Sequence, residues 1–275
     1  MLVKPPLILL SGPAGFGEWF ELINPSVIGA LTLKTITLNP KSGNKPPRMA
    51  EGRDYVINRI GLENPGVTKF LGMLDDLRRL KTKIIASLGG DSIDEYEKIA
   101  KIVKPYVKNF DAIEFNFSCP NVEKGGLSII GDLEGWRRII KTIRSILSDS
   151  FLIAKLGIEG IFIEEATKFL VESGWNGVTL INTVRGLHFD GDKMILGGLS
   201  GPILKPIALR AVYEVKNKFP DIFIIASGGI YNFEDAKEFL RVGANAIGVG
   251  SALFKDPEIV EEIGKKLLEV IHKND

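Results

Sequence analysis

The segment Asn116-Phe117-Ser118-Cys119-Pro120-Asn121 sets the only thiol of the chain between two carboxamides, directly after an apolar run. A thiol of pKa ~8.5 becomes a base when its surroundings favour the thiolate. A carboxamide offers two donors and an acceptor, which suits an amide-rich ligand. The competing role for Cys119 is a small buried residue, because free cysteine often packs in cores. Its neighbours, Pro120 and the two asparagines, weigh towards a polar loop. Lys34 closes a second apolar run and Lys155 lies inside a third. An ammonium in an apolar strand is costly unless it meets an anion or a polar cofactor. The alternative is a side chain that snorkels to solvent. Asn182 and Thr183 follow a further run, where capping is the plainer role. Two glycine turns, Ser227-Gly228-Gly229-Ile230 and Gly248-Val249-Gly250-Ser251, complete the set. Glycine lets backbone N–H groups approach a phosphate, and helix N-termini favour its charge. Gly197-Gly198-Leu199-Ser200-Gly201 offers a third wall.

Other chemistries find no support. The two histidines, His188 and His272, are far apart, and there is no HExxH, paired Cys or His set, or Walker motif. Neither a histidine-built metal site nor a Ser/His/Asp system is indicated, and no metal is expected.

The elements that must position these groups follow from the apolar pattern. Short β-branched runs appear at Leu7–Leu10, Ala30–Leu33, Lys83–Ser87, Ala112–Asn116, Leu152–Leu156, Gly177–Ile181, Ile222–Ala226 and Asn245–Val249. Their interiors are apolar rather than alternating, as in parallel strands buried on both faces. Helical periodicity fills Ser92–Ile102, Leu133–Leu147, Glu164–Glu172, Leu204–Lys218, Phe233–Arg241 and Pro257–His272. Eight strands in 275 residues leave about 34 per unit, close to the roughly 30 or more of a βαβ unit. A closed barrel and an open doubly wound sheet both meet this count. No Gly-x-Gly-x-x-Gly follows the first strand, and the glycine turns follow strands seven and eight, where barrels hold phosphate. The expected fold is therefore an α/β TIM (β/α)8 barrel, one domain over residues 1–275. The stretches from Leu38 to Asn64 and from Gly186 to Pro202 are expected as long irregular loops, a length usually tied to function.

Composition excludes several classes. One cysteine cannot close an internal disulfide. Thirty-five Lys plus Arg against 34 Asp plus Glu give a net charge of +1 with no long basic run, so nucleic acid is not an expected partner. With 45% hydrophobic residues the chain is not disordered. No apolar run reaches the ~18 residues of a membrane span, and the apolar run near Met1 is short for a signal peptide, so a cytoplasmic location is expected.

The motifs, taken in order, resemble the dihydroorotate dehydrogenase family, and within it class 1. The likeness runs through Ser11-Gly12-Pro13-Ala14-Gly15-Phe16-Gly17, Lys34-Thr35-Ile36-Thr37, Asn44-Lys45-Pro46-Pro47-Arg48 and Asn58-Arg59-Ile60-Gly61-Leu62-Glu63-Asn64-Pro65-Gly66. It continues through the Cys119 segment, Ile181-Asn182-Thr183, and Gly198-Leu199-Ser200-Gly201-Pro202 with Lys205-Pro206. The resemblance implies an FMN barrel that oxidises dihydroorotate to orotate in pyrimidine (UMP) synthesis. By it, Cys119 is the base, and Lys34 and Lys155 supply charge to substrate and flavin. Asn58, Asn116, Asn121, Asn182 and Thr183, with the backbone of Ile60, Gly61 and Leu62, form the substrate pocket. Ser11, Gly12, Lys34, Thr35, Asn116, Lys155, Ile181 and Gly201 lie along the flavin, and Gly228, Gly229, Gly250 and Ser251 hold its phosphate. The loop from Pro120 to Gly126 is expected as a lid, with Gly125-Gly126 giving it freedom.

Val122-Glu123-Lys124-Gly125-Gly126 and Phe189-Asp190 look closer to class 1B, whose members pass electrons to NAD through a subunit carrying FAD and an iron–sulfur cluster. A homodimer of this chain is also implied. Two departures stand out. Members of the family usually carry a small hairpin before the first strand, whereas here either Val3–Pro6 or a partner is expected to plug the barrel floor. Gly157-Ile158 replaces a Pro-containing turn. Competing readings are a flavin barrel acting on another dihydropyrimidine and a non-catalytic barrel for a phosphate ligand.

Overall fold

The computed structural model describes residues 3–117, 133–160 and 162–274. Within them the strands are, in chain order, β1 (Leu7–Leu9), β2 (Ala30–Thr32), β3 (Met49–Glu51), β4 (Val56–Asn58), β5 (Lys83–Leu88) and β6 (Ala112–Asn116). There follow β7 (Leu152–Leu156), β8 (Gly177–Leu180), β9 (Val184–Asp190), β10 (Lys193–Ser200), β11 (Phe223–Ala226) and β12 (Ala246–Val249). Eight of them close a parallel barrel in the order β1-β12-β11-β8-β7-β6-β5-β2, with helices between strands. This is a TIM barrel. The eight apolar runs of the sequence are its strands, with ends displaced by at most one residue.

Side-chain alternation sorts the barrel into shells. Ile8, Ala30, Ile85, Ala112, Ile153, Ile225 and Ala246 point inward and form an apolar floor, which Val3 completes. Val3 thus stands at the floor, where a plug was expected from the sequence. Two residues further along three of these strands the inward positions become polar: Ser87, Glu114 and Lys155 are all buried. The opposite faces of the strands pack on the helices. The helix Leu133–Ile146 buries Trp136, Ile139, Ile140 and Ile143, a spacing that makes one apolar stripe. Helix starts are fixed by side chains: Ser92 accepts from the Glu95 N–H at 3.3 Å and Asn232 from the Asp235 N–H at 2.9 Å.

The two expected irregular loops are a correction. Leu38–Asn64 contains β3 and β4, and the segment after β8 is the hairpin β9–β10. Together they form a four-stranded sheet in the order β3-β4-β10-β9. β4 and β10 run antiparallel, pairing Asn58 with Gly198 and Val56 with Ser200. These strands carry no buried apolar run because one face of the sheet is open. Leu187 pairs with Leu196 and Phe189 with Met194, and all four are exposed. Gly191, with φ of 58°, begins the two-residue turn between Asp190 and Lys193, a backbone that glycine adopts at little cost.

One aromatic cluster anchors the end of β6. Phe117 is fully buried, stacks on Tyr96 at 5.1 Å between ring centroids, and meets Trp136 edge-on at 6.0 Å. The Tyr96 hydroxyl donates to the Asn116 carbonyl at 2.5 Å, tying the strand end to the helix Ile93–Val103. Phe117→Ala should lower stability by about 3–5 kcal/mol, the usual cost of emptying a packed aromatic site. Denaturant unfolding monitored by tryptophan fluorescence checks this, and a loss under about 1 kcal/mol would show that the cluster does not hold the strand.

Candidate active site

A cavity of about 410 Å³ lies where the C-terminal ends of the barrel strands meet the second sheet. That is within the roughly 300–1,000 Å³ of small-molecule and cofactor sites, and this rim is where TIM barrels carry chemistry. The chain segments leaving the strands supply most of its wall. Ser11 and Gly12 follow β1, Lys34 and Thr35 follow β2, and Asn116 and Lys155 come from the ends of β6 and β7. Ile181, Asn182 and Thr183 follow β8, Gly228 and Gly229 follow β11, and Gly250 and Ser251 follow β12. The second sheet adds Asn58 from β4, the adjoining Ile60, Gly61 and Leu62, and Gly201 after β10. The residues assigned to substrate and flavin are therefore brought to one cavity, apart from Cys119 and Asn121, whereas of the third wall offered by Gly197-Gly198-Leu199-Ser200-Gly201 only Ser200 and Gly201 line it. Cys119 and Asn121, and the expected lid from Pro120 to Gly126, lie outside the described residues.

The charge of this wall is one-sided. Lys34 and Lys155 line it, and no Asp or Glu does so among the described residues. Burial is the main cause that holds the Lys34 ammonium below the ordinary lysine value, partly offset by Glu63 and Glu18, with Arg48 adding a small push downward. Lys155 sits in register between Asn116 on β6 and Thr179 on β8, and is only 7% exposed. Cationic groups in a part-desolvated pocket favour an anionic or electron-rich ligand. Asn58, Asn116 and Asn182 add carboxamides, and the Asn182 Nδ2 donates towards Asn116 Oδ1 at 3.4 Å.

The glycine turns differ in what they require. Gly228 and Gly229 have φ of 114° and 80°, and a Cβ on Gly229 would stand 2.7 Å from the Lys205 backbone nitrogen. Their need for glycine is internal to the protein. Gly250 has ordinary φ, and the nearest atom to an added Cβ is 3.7 Å away. Gly12 has nothing within 4 Å. Gly12 still needs glycine for its φ of 97°, but Gly250 does not, so at Gly250 the wall is cut back further than the protein itself demands, which leaves room in the cradle for a bulky, phosphate-bearing cofactor. The turn is braced from behind. Lys205 bridges Asp235 at 2.8 Å and Glu238 at 3.0 Å, and Asp235 also accepts the Tyr231 N–H at 2.9 Å. Hydrogen bonds to those two carboxylates raise the Lys205 pKa. Tyr231, whose hydroxyl lies 2.9 Å from Ser251 Oγ, has its pKa pushed up mainly by burial.

Several wall residues were not foreseen. Met49, Val56, Leu204, Tyr231 and Phe254 supply apolar surface. Asn64, which is 6% exposed, is the brace of the 60–62 segment. Its Nδ2 donates to the Leu62 carbonyl at 2.7 Å and to Thr37 Oγ1 at 2.8 Å. Its Oδ1 accepts the N–H of Thr37 at 3.1 Å and of Gly66 at 2.9 Å. Asn-Pro-Gly after an irregular stretch was a usable turn signal for it. No cluster of three or more metal-ligating side chains occurs among the described residues.

Comparison with known proteins agrees with this geometry. The family described as dihydroorotate dehydrogenase matches residues 2–271. A protein of Thermotoga petrophila named dihydroorotate dehydrogenase B (NAD(+)), catalytic subunit, is 62% identical over 268 residues, covering 98% of both chains. One of the same name from Caldicellulosiruptor saccharolyticus is 40% identical over 95% of this chain and 88% of its own. A solved dihydroorotate dehydrogenase from Eimeria tenella, in complex with ferulenol, shares the fold with a TM-score of 0.83 at 21% identity, covering 98% of this chain and 82% of its own. With the described site residues gathered at one barrel mouth and a match along nearly the whole chain, this protein belongs to the dihydroorotate dehydrogenase family.

Proposed function

We propose that this chain oxidises (S)-dihydroorotate to orotate in the synthesis of UMP, with FMN as its flavin. The observation that carries the reading is the cavity wall, where two lysines and three carboxamides converge without an opposing carboxylate among the described residues. Orotate is a pyrimidinedione that bears a carboxylate, so amide edges and a cation are the matching groups. A site built from such donors rejects analogues that lack the partner atoms.

Dihydroorotate dehydrogenases are flavin enzymes, and the chemistry FMN supplies when bound is acceptance of a hydride. The residues of this chain do the rest. Cys119 removes a proton from one ring carbon of the substrate, which lets the adjacent carbon give up its hydride. Asn58, Asn116, Asn121, Asn182 and Thr183, with the backbone of Ile60, Gly61 and Leu62, orient the ring. Lys34 faces the substrate carboxylate and the flavin, and Lys155 sets positive charge where electron density accumulates, as preorganised groups should. Gly228, Gly229, Gly250 and Ser251 cradle the phosphate, while Ser11, Gly12, Thr35, Ile181 and Gly201 border the remainder of FMN. The support for these roles is placement around one cavity together with the family, and for Cys119 and Asn121 it is the sequence motif and the family alone.

Electron exit needs a partner. One cysteine cannot ligate an iron–sulfur cluster. We infer a homodimer of this chain, associated with a second subunit that carries FAD and the cluster and delivers electrons to NAD. The inferred location is the cytoplasm, where a lone thiol stays reduced. Among the described residues no helix is long and apolar enough to cross a membrane.

The purified chain should be yellow, and anaerobic dihydroorotate should bleach it while dihydrouracil does not. A colourless protein, or equal bleaching by both compounds, would sink the reading. Cys119→Ala should slow bleaching by about 10²–10⁴-fold with flavin content unchanged, the usual worth of a general base. Reduction of NAD by the chain alone, measured at 340 nm, should be absent; its presence would remove the need for a partner.

Lys34 generates a pH signature. Its ammonium form is the one that attracts a carboxylate, and burial lowers its pKa from 10.5. Orotate affinity should therefore be flat near neutrality and fall as the pH rises through the alkaline range, earlier than an ordinary lysine would allow. The titration is best read from the flavin difference spectrum in the Cys119→Ala protein, so that the thiol does not contribute. Lys34→Met in the same background should bind weakly at every pH and lose the slope.

A further inference from the structure

The barrel interior holds a carboxylate that the chemistry above leaves idle. Glu114 on β6 is fully buried. Both of its oxygens are engaged: Ser87 Oγ donates to Oε1 at 3.2 Å and Thr179 Oγ1 donates to Oε2 at 2.7 Å. From Ser87 the contacts continue outward. Ser87 Oγ lies 2.9 Å from Thr35 Oγ1, which lies 2.9 Å from Ser11 Oγ. Thr35 and Ser11 line the cavity, whereas Ser87 and Glu114 do not. A row of single hydroxyls thus links the deepest carboxylate of the barrel to the cavity wall.

Donor arithmetic gives this row a direction. An ionised carboxylate only accepts, and each hydroxyl has one proton to give. Ser87 gives its proton to Glu114, so in the next contact Thr35 must be the donor. Thr35 having given its proton to Ser87, Ser11 must donate to Thr35. Ser11 Oγ then has lone pairs and no proton left for whatever fills the cavity. Reversal would require Glu114 to be a neutral acid donating to Ser87. The contacts run the other way, with both hydroxyls donating to that carboxylate.

We propose that Glu114 is a positioning residue, which acts through Ser87 and Thr35 to hold Ser11 as a pure acceptor facing an N–H of the bound flavin. The inference rests on the flavin reading of the cavity and deepens it. A flavin's pyrimidine edge carries an imide N–H between two carbonyls. An acceptor that cannot turn into a donor selects that N–H and is ready before the ligand arrives. Charge-assisted, aligned hydroxyls strengthen one another, so the effect reaches three residues from its source.

The test is a double-mutant cycle on flavin affinity, measured by quenching of FMN fluorescence as apoprotein is added. Glu114→Met removes the terminal acceptor. Ser87→Ala, which cuts the row but leaves Glu114 in place with its Thr179 donor, serves where Glu114→Met fails to fold. Each should weaken FMN binding about 5- to 10-fold, the worth of one directed hydrogen bond. Thr35→Val breaks the row above both, so in that background neither change should weaken binding by more than about twofold. Thermal unfolding of the apoproteins separates packing damage, which persists in the Thr35→Val background, from loss of direction, which does not. Wild-type flavin uptake with penalties that simply multiply would overturn this inference alone. Apoprotein that takes up no FMN would overturn the reading of the cavity and this inference with it.

Discussion

Closing eight parallel strands into one cylinder forces every strand to end at the same rim, and the rest of this molecule follows from that. Groups that share no sequence neighbourhood become neighbours in space: Lys34 after β2, Asn116 and Lys155 on β6 and β7, and the turns after β11 and β12. The alternation of side chains along each strand then grades the interior. On β6, Ala112 lies in the floor, Glu114 in the middle and Asn116 at the mouth; on β7, Ile153 and Lys155 repeat the ascent. The floor excludes water from below, so charges higher in the barrel interact in a medium of lower dielectric than the surface.

That setting decides where charge is tolerated. Salt bridges on the outer helices, such as Lys101 with Glu97 or Lys266 with Glu262, are exposed i,i+4 pairs of small energetic weight. Inside, the buried Glu114 needs its two hydroxyl donors, because an unmatched buried charge is costly. At the mouth the balance is left open on purpose of function: the described wall carries cations and no carboxylate, and the depressed pKa of Lys34 records the cost of keeping a cation there. An anionic or electron-rich ligand relieves that cost, so the same feature that is costly to the protein by itself supplies affinity for its ligand.

The barrel was legible because its signal is strong and local. Runs such as Ile222–Ala226 have no polar interruption, and parallel burial explains nothing else so well. Part of the cavity wall was legible for a related reason, since polar residues at the ends of such runs, like Lys34 and Asn116, are out of place unless the strand end is a mouth, whereas Asn58 and the 60–62 segment came only through the family resemblance. The second sheet was not read. Its strands are short or one-sided, with Arg185, Leu187 and Phe189 facing solvent and glycines at 186, 197 and 198 diluting any apolar run. The turn around Gly191 was a hairpin signal that went unused beside the stronger barrel pattern. Glu114 was invisible for a different reason. A carboxylate within a strand reads as an edge or an error until Ser87 and Thr179, 27 and 65 residues away, are seen to meet it.

The roof of the cavity shows how an exposed sheet can still be exact where it matters. Leu62 holds a positive φ of 53°, a conformation that costs a non-glycine residue on the order of 1–3 kcal/mol. It follows Gly61, also at positive φ, so the backbone turns sharply against the cavity. Neither sheet pairing nor apolar packing would enforce this. The Asn64 carboxamide does, through hydrogen bonds that reach Leu62 on one side and Thr37 beyond β2 on the other. Asn44 supports the same segment, donating from Nδ2 to the Arg59 carbonyl at 2.8 Å. The strained turn is therefore referred to the barrel rather than to its own sheet. A backbone fixed in that way can face a planar ligand with set N–H directions, whereas a relaxed loop would have to order itself at every binding event, at the entropic cost that preorganisation removes.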